Sequence, residues 1–256
     1  MSDLGTLGGS YSYANGINSS GQVAGTSYLA GNAAEHAFIT GANGAGMSDL
    51  GTLGGSDSRA SGINDSGQVA GYSWTARNTN IHAFVTGANG AGMSDLGTLG
   101  GFASVAFGIN DSGQVVGMSY LVGDYAYHAF VTGLNGVGMT DLGTLGGTAS
   151  WAYGINASGQ VAGYSYTAGN TAQHAFITGA NGTGMTDLNS LASLDGGDYF
   201  TEASAVNDAG QIVANSWLGH AYLLTPVPEA DSWAMMLAGL ALVGGVAWRR
   251  RKLRGA

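Results

Sequence analysis

The sequence predicts an all-β protein: a five-bladed β-propeller built from 46-residue, four-stranded repeats, with a transmembrane helix at its C-terminus. Three observations predict it. "DLGTLGG" begins at residues 3, 49, 95 and 141 and decays to "DLNSLAS" at 187, so each step is 46 residues. "HAF" keeps the same beat at 36, 82, 128 and 174, and becomes "HAY" at 220. "GIN" stands at 16, 62, 108 and 154, and its counterpart "AVN" at 205 comes five residues late. Periods of 20–50 residues mark solenoids, propellers or arrays.

Each element of the unit follows from its local chemistry. "SYSYANGIN" (10–18) reads as a first strand, A, rich in aromatic and small residues. "SSG" (19–21) is a turn whose glycine supplies positive φ, and "QVAGTSY" (22–28) is strand B. A variable loop leads to "HAFIT" (36–40), strand C; "GANGAG" (41–46) is a second turn, and "MSDLGTL" (47–53) is strand D. The segments are short, are punctuated by Gly, Asn and Ser, and carry no helical period, which is the size and pattern of a propeller blade. The chain starts on D and ends on C. The leftover N-terminal "SDLGTL" is therefore expected to close the last blade and remove the exposed edge. A linear solenoid would need distinct capping repeats, and neither end carries one. The domains expected are the propeller over 1–225, a linker over 226–232, a membrane helix over 233–248 and a basic cytoplasmic tail over 249–256.

Composition limits the function. The chain has 256 residues with 47 Gly, 2 Pro and no Cys. Gly and Pro stay below the ~25–30% at which disorder is the default, and there is neither a disulfide framework nor a thiolate nucleophile. Residues 1–228 carry only Arg59 and Arg77 against 14 acidic groups, whereas residues 229–256 carry five basic and two acidic groups. So acidic a body repels phosphate backbones, and no nucleic-acid partner is expected.

The tail has a different design. Trp233 to Trp248 is an uncharged run of 16 residues, spanning ~24 Å as a helix against a ~30 Å hydrocarbon core. Tryptophans at both ends suit the two interfaces, and Arg249, Arg250, Arg251, Lys252 and Arg254 form a stop-transfer cluster left in the cytoplasm. "VPEA" at 227–230, this apolar run and the terminal arginines together resemble the PEP-CTERM sorting signal. The matching positions are Val227, Pro228 and Glu229; the family's usual second proline is Ala230 here. The resemblance implies an exosortase, a membrane protease or transpeptidase of exopolysaccharide-producing Gram-negative bacteria, as partner, with exopolysaccharide as a further partner. The repeats resemble the HAF-repeat family of extracellular proteins through "HAF", "DLGTLGG" and "GIN(D)SGQVAG" over residues 1–225. Together the two resemblances imply an exported protein, tethered to the inner membrane before processing and then placed at the cell surface or in the extracellular matrix.

Candidate sites are few. His36, His82, His128, His174 and His220 are the only histidines, one per unit. Equivalent blade positions lie too far apart to share an ion at ~2.1 Å, so a structural bond across strands or blades, for instance to the Asp of "DLG", is expected and no metal or other cofactor. "GTLGG" and "GANGAG" lack the Lys-Ser/Thr of a phosphate loop. "NDSG" at 64–67 and 110–113 hints at calcium, but its Asp is Ser19 in the first unit and Ala157 in the fourth, which favours a plain turn. No catalytic residue is expected: Glu35, Glu202 and Glu229 are the only glutamates, none in a motif, and no nucleophile elbow or H-E-x-x-H is present. Tyr28, Trp74, Tyr120 and Tyr166 open the variable B–C loops, with Trp217 near the same place in the fifth unit. On one face of the ring they would offer aromatic surfaces beside Asn, Asp and Gly, suited to sugar rings; alternatively they wedge between blades. Two functions therefore stand: a non-catalytic exported surface or matrix scaffold, and a lectin-like module with several near-equivalent carbohydrate sites.

Residues 1–30 hold no Lys or Arg and no apolar run of signal-peptide length, although an exosortase tail needs an exported chain. A start ~20–35 residues further upstream, carrying a signal peptide, is the expectation.

Overall fold

The computed structural model describes residues 1–226. Met1–Leu224 forms one compact unit. The expected membrane helix, its two tryptophans, the basic cluster and the "VPE" residues lie outside the described residues. Among the described residues, no helix is long and apolar enough to cross a membrane.

This unit is all β. Strands β1 (Gly8–Ile17), β2 (Val23–Leu29), β3 (Glu35–Thr40) and β4 (Met47–Asp49) form an antiparallel meander. The pattern repeats in β5–β8 (Gly54–Ile63, Val69–Thr75, Ile81–Thr86, Met93–Asp95), in β9–β12 (Gly100–Ile109, Val115–Leu121, Tyr127–Thr132, Met139–Asp141) and in β13–β16 (Gly146–Ile155, Val161–Thr167, Gln173–Thr178, Met185–Asp187). Among the described residues the fifth repeat holds β17 (Phe200–Val206), β18 (Ile212–Ser216) and β19 (Ala221–Leu224). Single parallel bridges, Ile81 to Ala103 and Tyr127 to Ala149, join the second, third and fourth repeats into a 12-stranded sheet.

Local chemistry sets these elements. The β1–β2 turn needs positive φ at Gly21 (+73°), and Asn18 Oδ1 accepts from Ser20 N and Gln22 N to close it. Glycine is also required in β2, where a Cβ on Gly25 would lie 2.0 Å from the Tyr13 carbonyl oxygen. The "GANGAG" segment folds back onto that same turn: Asn43 N and Gly44 N donate to Ser20 O and Gly21 O. Strand D is shorter than the sequence suggests. Asp49 Oδ1 accepts from Gly51 N at 2.7 Å, and this Asx turn ends the strand after three residues.

Packing between repeats makes the core. Phe84 is fully buried among Ala24, Ala37 and Ile39 of the preceding repeat and Ala60 and Val69 of its own. Phe130 and Phe176 repeat this seam one and two units later. Burying one such ring contributes roughly 1.5–3 kcal/mol.

The closure expected of the N-terminal phrase is not made, and the sheets are not closed on one another. Leu7 bridges to Leu29 and its N–H donates to Ser27 Oγ, so the phrase lies along its own first repeat. Met1–Asp3 belongs to no strand, and among the described residues β19 is the edge of a three-stranded sheet.

Candidate functional site

The "GIN(D)SG" turns of all five repeats gather round one depression of about 260 Å³, lined by Ile17, Asn18, Asp65, Asn110, Asn156 and Asp208 among others. Its rim is a ladder. Asn18 Nδ2 donates to Asn64 O, Asn64 to Asn110 O, Asn110 to Asn156 O and Asn156 to Asn207 O, at 3.0–3.1 Å. Where the motif has Asp, its carboxylate caps the preceding repeat: Ser19 N to Asp65, Asp65 N to Asp111 and Ala157 N to Asp208. The Ser19 N–H holds the Asp65 carboxyl below the usual carboxylate range. These aspartates are engaged in joining repeats, and among the described residues no group of three or more His, Cys, Asp or Glu is placed to hold a metal ion.

The histidines stay apart. His36, His82, His128 and His174 each place Nδ1 2.6–2.9 Å from the Asp thirteen residues on: Asp49, Asp95, Asp141 and Asp187. No such Asp follows His220, whose Nδ1 lies 3.8 Å from the buried Asp198.

The opening aromatics are not in loops. Tyr28, Trp74, Tyr120 and Tyr166 are half-buried near the ends of their B strands, paired with Glu35, Ile81, Tyr127 and Gln173 across the C strands. Trp217, just beyond β18, is 67% exposed. Their surroundings differ. Beside Tyr28, a groove of about 430 Å³ is crossed by an ion pair between Arg59 and Glu35. Burial works against the Arg59 charge, but hydrogen bonds and charge interactions with Glu35 and Tyr72 together outweigh it and raise the pKa. A neighbouring groove of about 370 Å³ holds Trp74, Tyr72 and Asp57. Between the third and fourth repeats the space is filled: Trp151 packs edge-on against Tyr127 at 4.3 Å and stacks on Tyr164 at 4.4 Å. Burial there pushes the Tyr164 hydroxyl well above its ordinary pKa.

The groove between the fourth and fifth repeats is the largest of these, about 600 Å³, and it is open. Tyr199 and Trp217 stack at 5.9 Å with their planes 9° apart. Tyr166, Asn170, Gln173 and Thr201 complete the wall. The pair, with Trp217 exposed and Tyr199 half-buried, offers a flat apolar face beside amide and hydroxyl donors and acceptors. Sequence reasoning found Tyr166 and Trp217 but missed Tyr199, whose 46-residue counterpart, Tyr153, occupies a different place in its strand.

This architecture of tandem four-stranded antiparallel repeats round a common depression is that of the β-propeller class. The chain is similar to the β-propeller domain of the Trilobed protease from Pyrococcus furiosus, with a TM-score of 0.50 and 8% identity over 85% of this chain and 71% of that one. At that identity the likeness shows the fold alone. Residues 226–252 match the PEP-CTERM protein-sorting motif. That signal implies an exported, surface-directed protein processed by an exosortase, a membrane protease. No curated protein sequence matches the chain.

Proposed function

We propose that this chain is a non-catalytic surface or extracellular-matrix protein, with its five repeats as the blades of a propeller scaffold and its tail as the retention device. The observation that carries this reading is the sorting motif at 226–252 directly after the repeat array. The array's polar side chains support it: four of the five histidines are hydrogen-bonded to aspartates and the ladder asparagines to the next repeat, so they serve architecture. The repeat phrases, similar to those of extracellular HAF-repeat proteins, fit the same location. Surface labelling of the chain, expressed with an export signal in an exopolysaccharide-producing host, tests it. The chain should reach the surface when exosortase is present and stay in the inner membrane when it is deleted. Equal surface display in both strains would overturn the reading.

A second reading, carbohydrate binding, is favoured by the open groove at Trp217. On a glycan array, Trp217→Ala should lose binding while leaving the melting temperature within ~1–6 °C of the parent, because an exposed aromatic pair contributes only ~0.5–1.5 kcal/mol. Unchanged glycan binding would remove this groove from consideration.

A further inference from the structure

The two ends of the repeat array are the uncovered halves of one interface. On the first repeat, Ile17 is 69% exposed and Ala14 is exposed, whereas their counterparts Ile63 and Ala60 are packed against the preceding repeat. On the fifth repeat, Val213 and Leu223 are 42% and 64% exposed, whereas their counterparts Ala24 and Ile39 are buried beneath the following repeat. These end positions are thus exposed where their counterparts at the internal junctions are buried or partly buried.

The unpaired strand edge has a matching strand. At the first junction β4 pairs with β3, Asp49 opposite Phe38. Among the described residues the fifth repeat has no such strand, and Tyr222 stands where Phe38 does. Forty-six residues before β4 lie Met1–Asp3. The N-terminal phrase already has the conformation of an internal linker: Asp3 Oδ1 accepts from Gly5 N as Asp49 does from Gly51 N. Leu7 N donates to Ser27 Oγ as Leu53 N does to Ser73 Oγ. The Leu4 side chain reaches Gly44 as Leu50 reaches Gly90. One His–Asp pair is also divided between the ends. His220 is 66% exposed, against 17–23% for the other four histidines, and it lacks a "DLG" aspartate; among the described residues Asp3 has no histidine.

From this juxtaposition we propose that a second copy of the chain docks head to tail, its Met1–Asp3 adding a fourth strand to β19, with Asp3 against His220 and Ile17 against the Val213–Leu223 face. The internal junction, present four times, supplies the geometry. Among the described residues β19 has no fourth strand and Met1–Asp3 pairs with none, which leaves both halves to a neighbour. Such an interface is heterologous and extends into chains or closes into rings of copies, an arrangement suited to a surface layer.

Sedimentation velocity of the full chain in a mild detergent tests the proposal. The parent should form concentration-dependent species beyond the dimer. Ile17→Asp spoils only the head and Leu223→Asp only the tail, and both sites are exposed, so each variant should fold and remain monomeric. Mixed, they should give a one-to-one dimer and nothing larger, because one intact head then meets one intact tail. Deleting residues 1–3 from the Leu223→Asp copy should weaken that dimer roughly tenfold through lost strand hydrogen bonds. A parent that stays monomeric, or variants that assemble as the parent does, would overturn head-to-tail docking. A mixed dimer indifferent to residues 1–3 would overturn the strand addition.

Discussion

Asn110→Ala and Asn207→Ala remove the same side chain from equivalent turns, but the structure assigns them different costs. Asn110 is buried and makes four hydrogen bonds: Oδ1 accepts from Ser112 N and Gln114 N, and Nδ2 donates to Gln114 Oε1 and to Asn156 O in the next repeat. Asn207 keeps the turn bonds, with Ala209 N, Gln211 N and Gln211 Oε1, but it is exposed and makes no bond to a following repeat. A hydrogen bond contributes ~0.5–1.5 kcal/mol net, and a buried partner left unsatisfied costs ~1–3 kcal/mol. Asn110→Ala should therefore cost about 2–4 kcal/mol, and Asn207→Ala about 1 kcal/mol or less, since water replaces its partners. For a chain of this size ~1 kcal/mol is ~2–4 °C, so Asn110→Ala should melt roughly 4–16 °C below the parent and Asn207→Ala within ~4 °C. Thermal melts followed by near-UV circular dichroism read both. Equal losses at the two sites would refute the ladder as the junction between repeats and leave the motif as a turn and nothing more.

Three further outcomes follow from the geometry. Gly113 sits at φ +72° with Asn135 N 3.0 Å from where a Cβ would stand, so Gly113→Ala should cost at least ~1–2 kcal/mol, measured by urea unfolding; an unchanged midpoint would show that the turn relaxes. Burial raises the Asp198 pKa, but hydrogen bonds from Ser216, Leu218 N and Tyr199 N outweigh it and hold the group below 3.8. Its stabilising contribution is full above the unfolded value and disappears as pH falls through the folded one, so Asp198→Asn should flatten the stability loss below about pH 4; an acid limb as steep as the parent's would contradict this. Residues 226–256 fused to an exported soluble reporter should hold it in the membrane of a host without exosortase, as fractionation would show; a freely soluble reporter would exclude a membrane-retained tail.

Much of the fold was legible because its punctuation is covalent. Gly21 and its counterparts fix positive φ, and the phrases around them recur at a fixed offset, so the strands and their order could be read directly. Strand D was read too long because "MSDLGTL" has strand-like composition, while the Asx turn at Asp49 that stops it depends on one side-chain oxygen. Closure was illegible for a different reason. The 46-residue period aligns Met1–Asp3 with β4, and a repeat sequence marks that register without fixing whether β19 is its partner. At the grooves, the period finds whatever recurs, so it pointed to Tyr28, Trp74, Tyr120 and Tyr166. It could not find Trp151 or Tyr199, which occupy positions where the repeats differ.

Those differences fall in a definite place. The seam residues hardly change: alanine recurs at 60, 106, 152 and 203, and phenylalanine at 38, 84, 130 and 176. The groove positions change freely. The cross-strand pairs opposite the seams read Tyr13–Thr26, Arg59–Tyr72, Val105–Met118, Trp151–Tyr164 and Glu202–Asn215. A close-packed seam tolerates little change in volume, since both under- and overpacking cost energy, so sameness there follows from stacking one repeat on the next. No such constraint acts on the half-open grooves, and five identical grooves would have been the simplest outcome of tandem duplication. Instead one carries an ion pair, one is filled by aromatic rings and one is open between Tyr199 and Trp217. Under the carbohydrate-binding reading proposed above, selectivity would therefore belong to individual grooves, while the seams hold one repeat on the next.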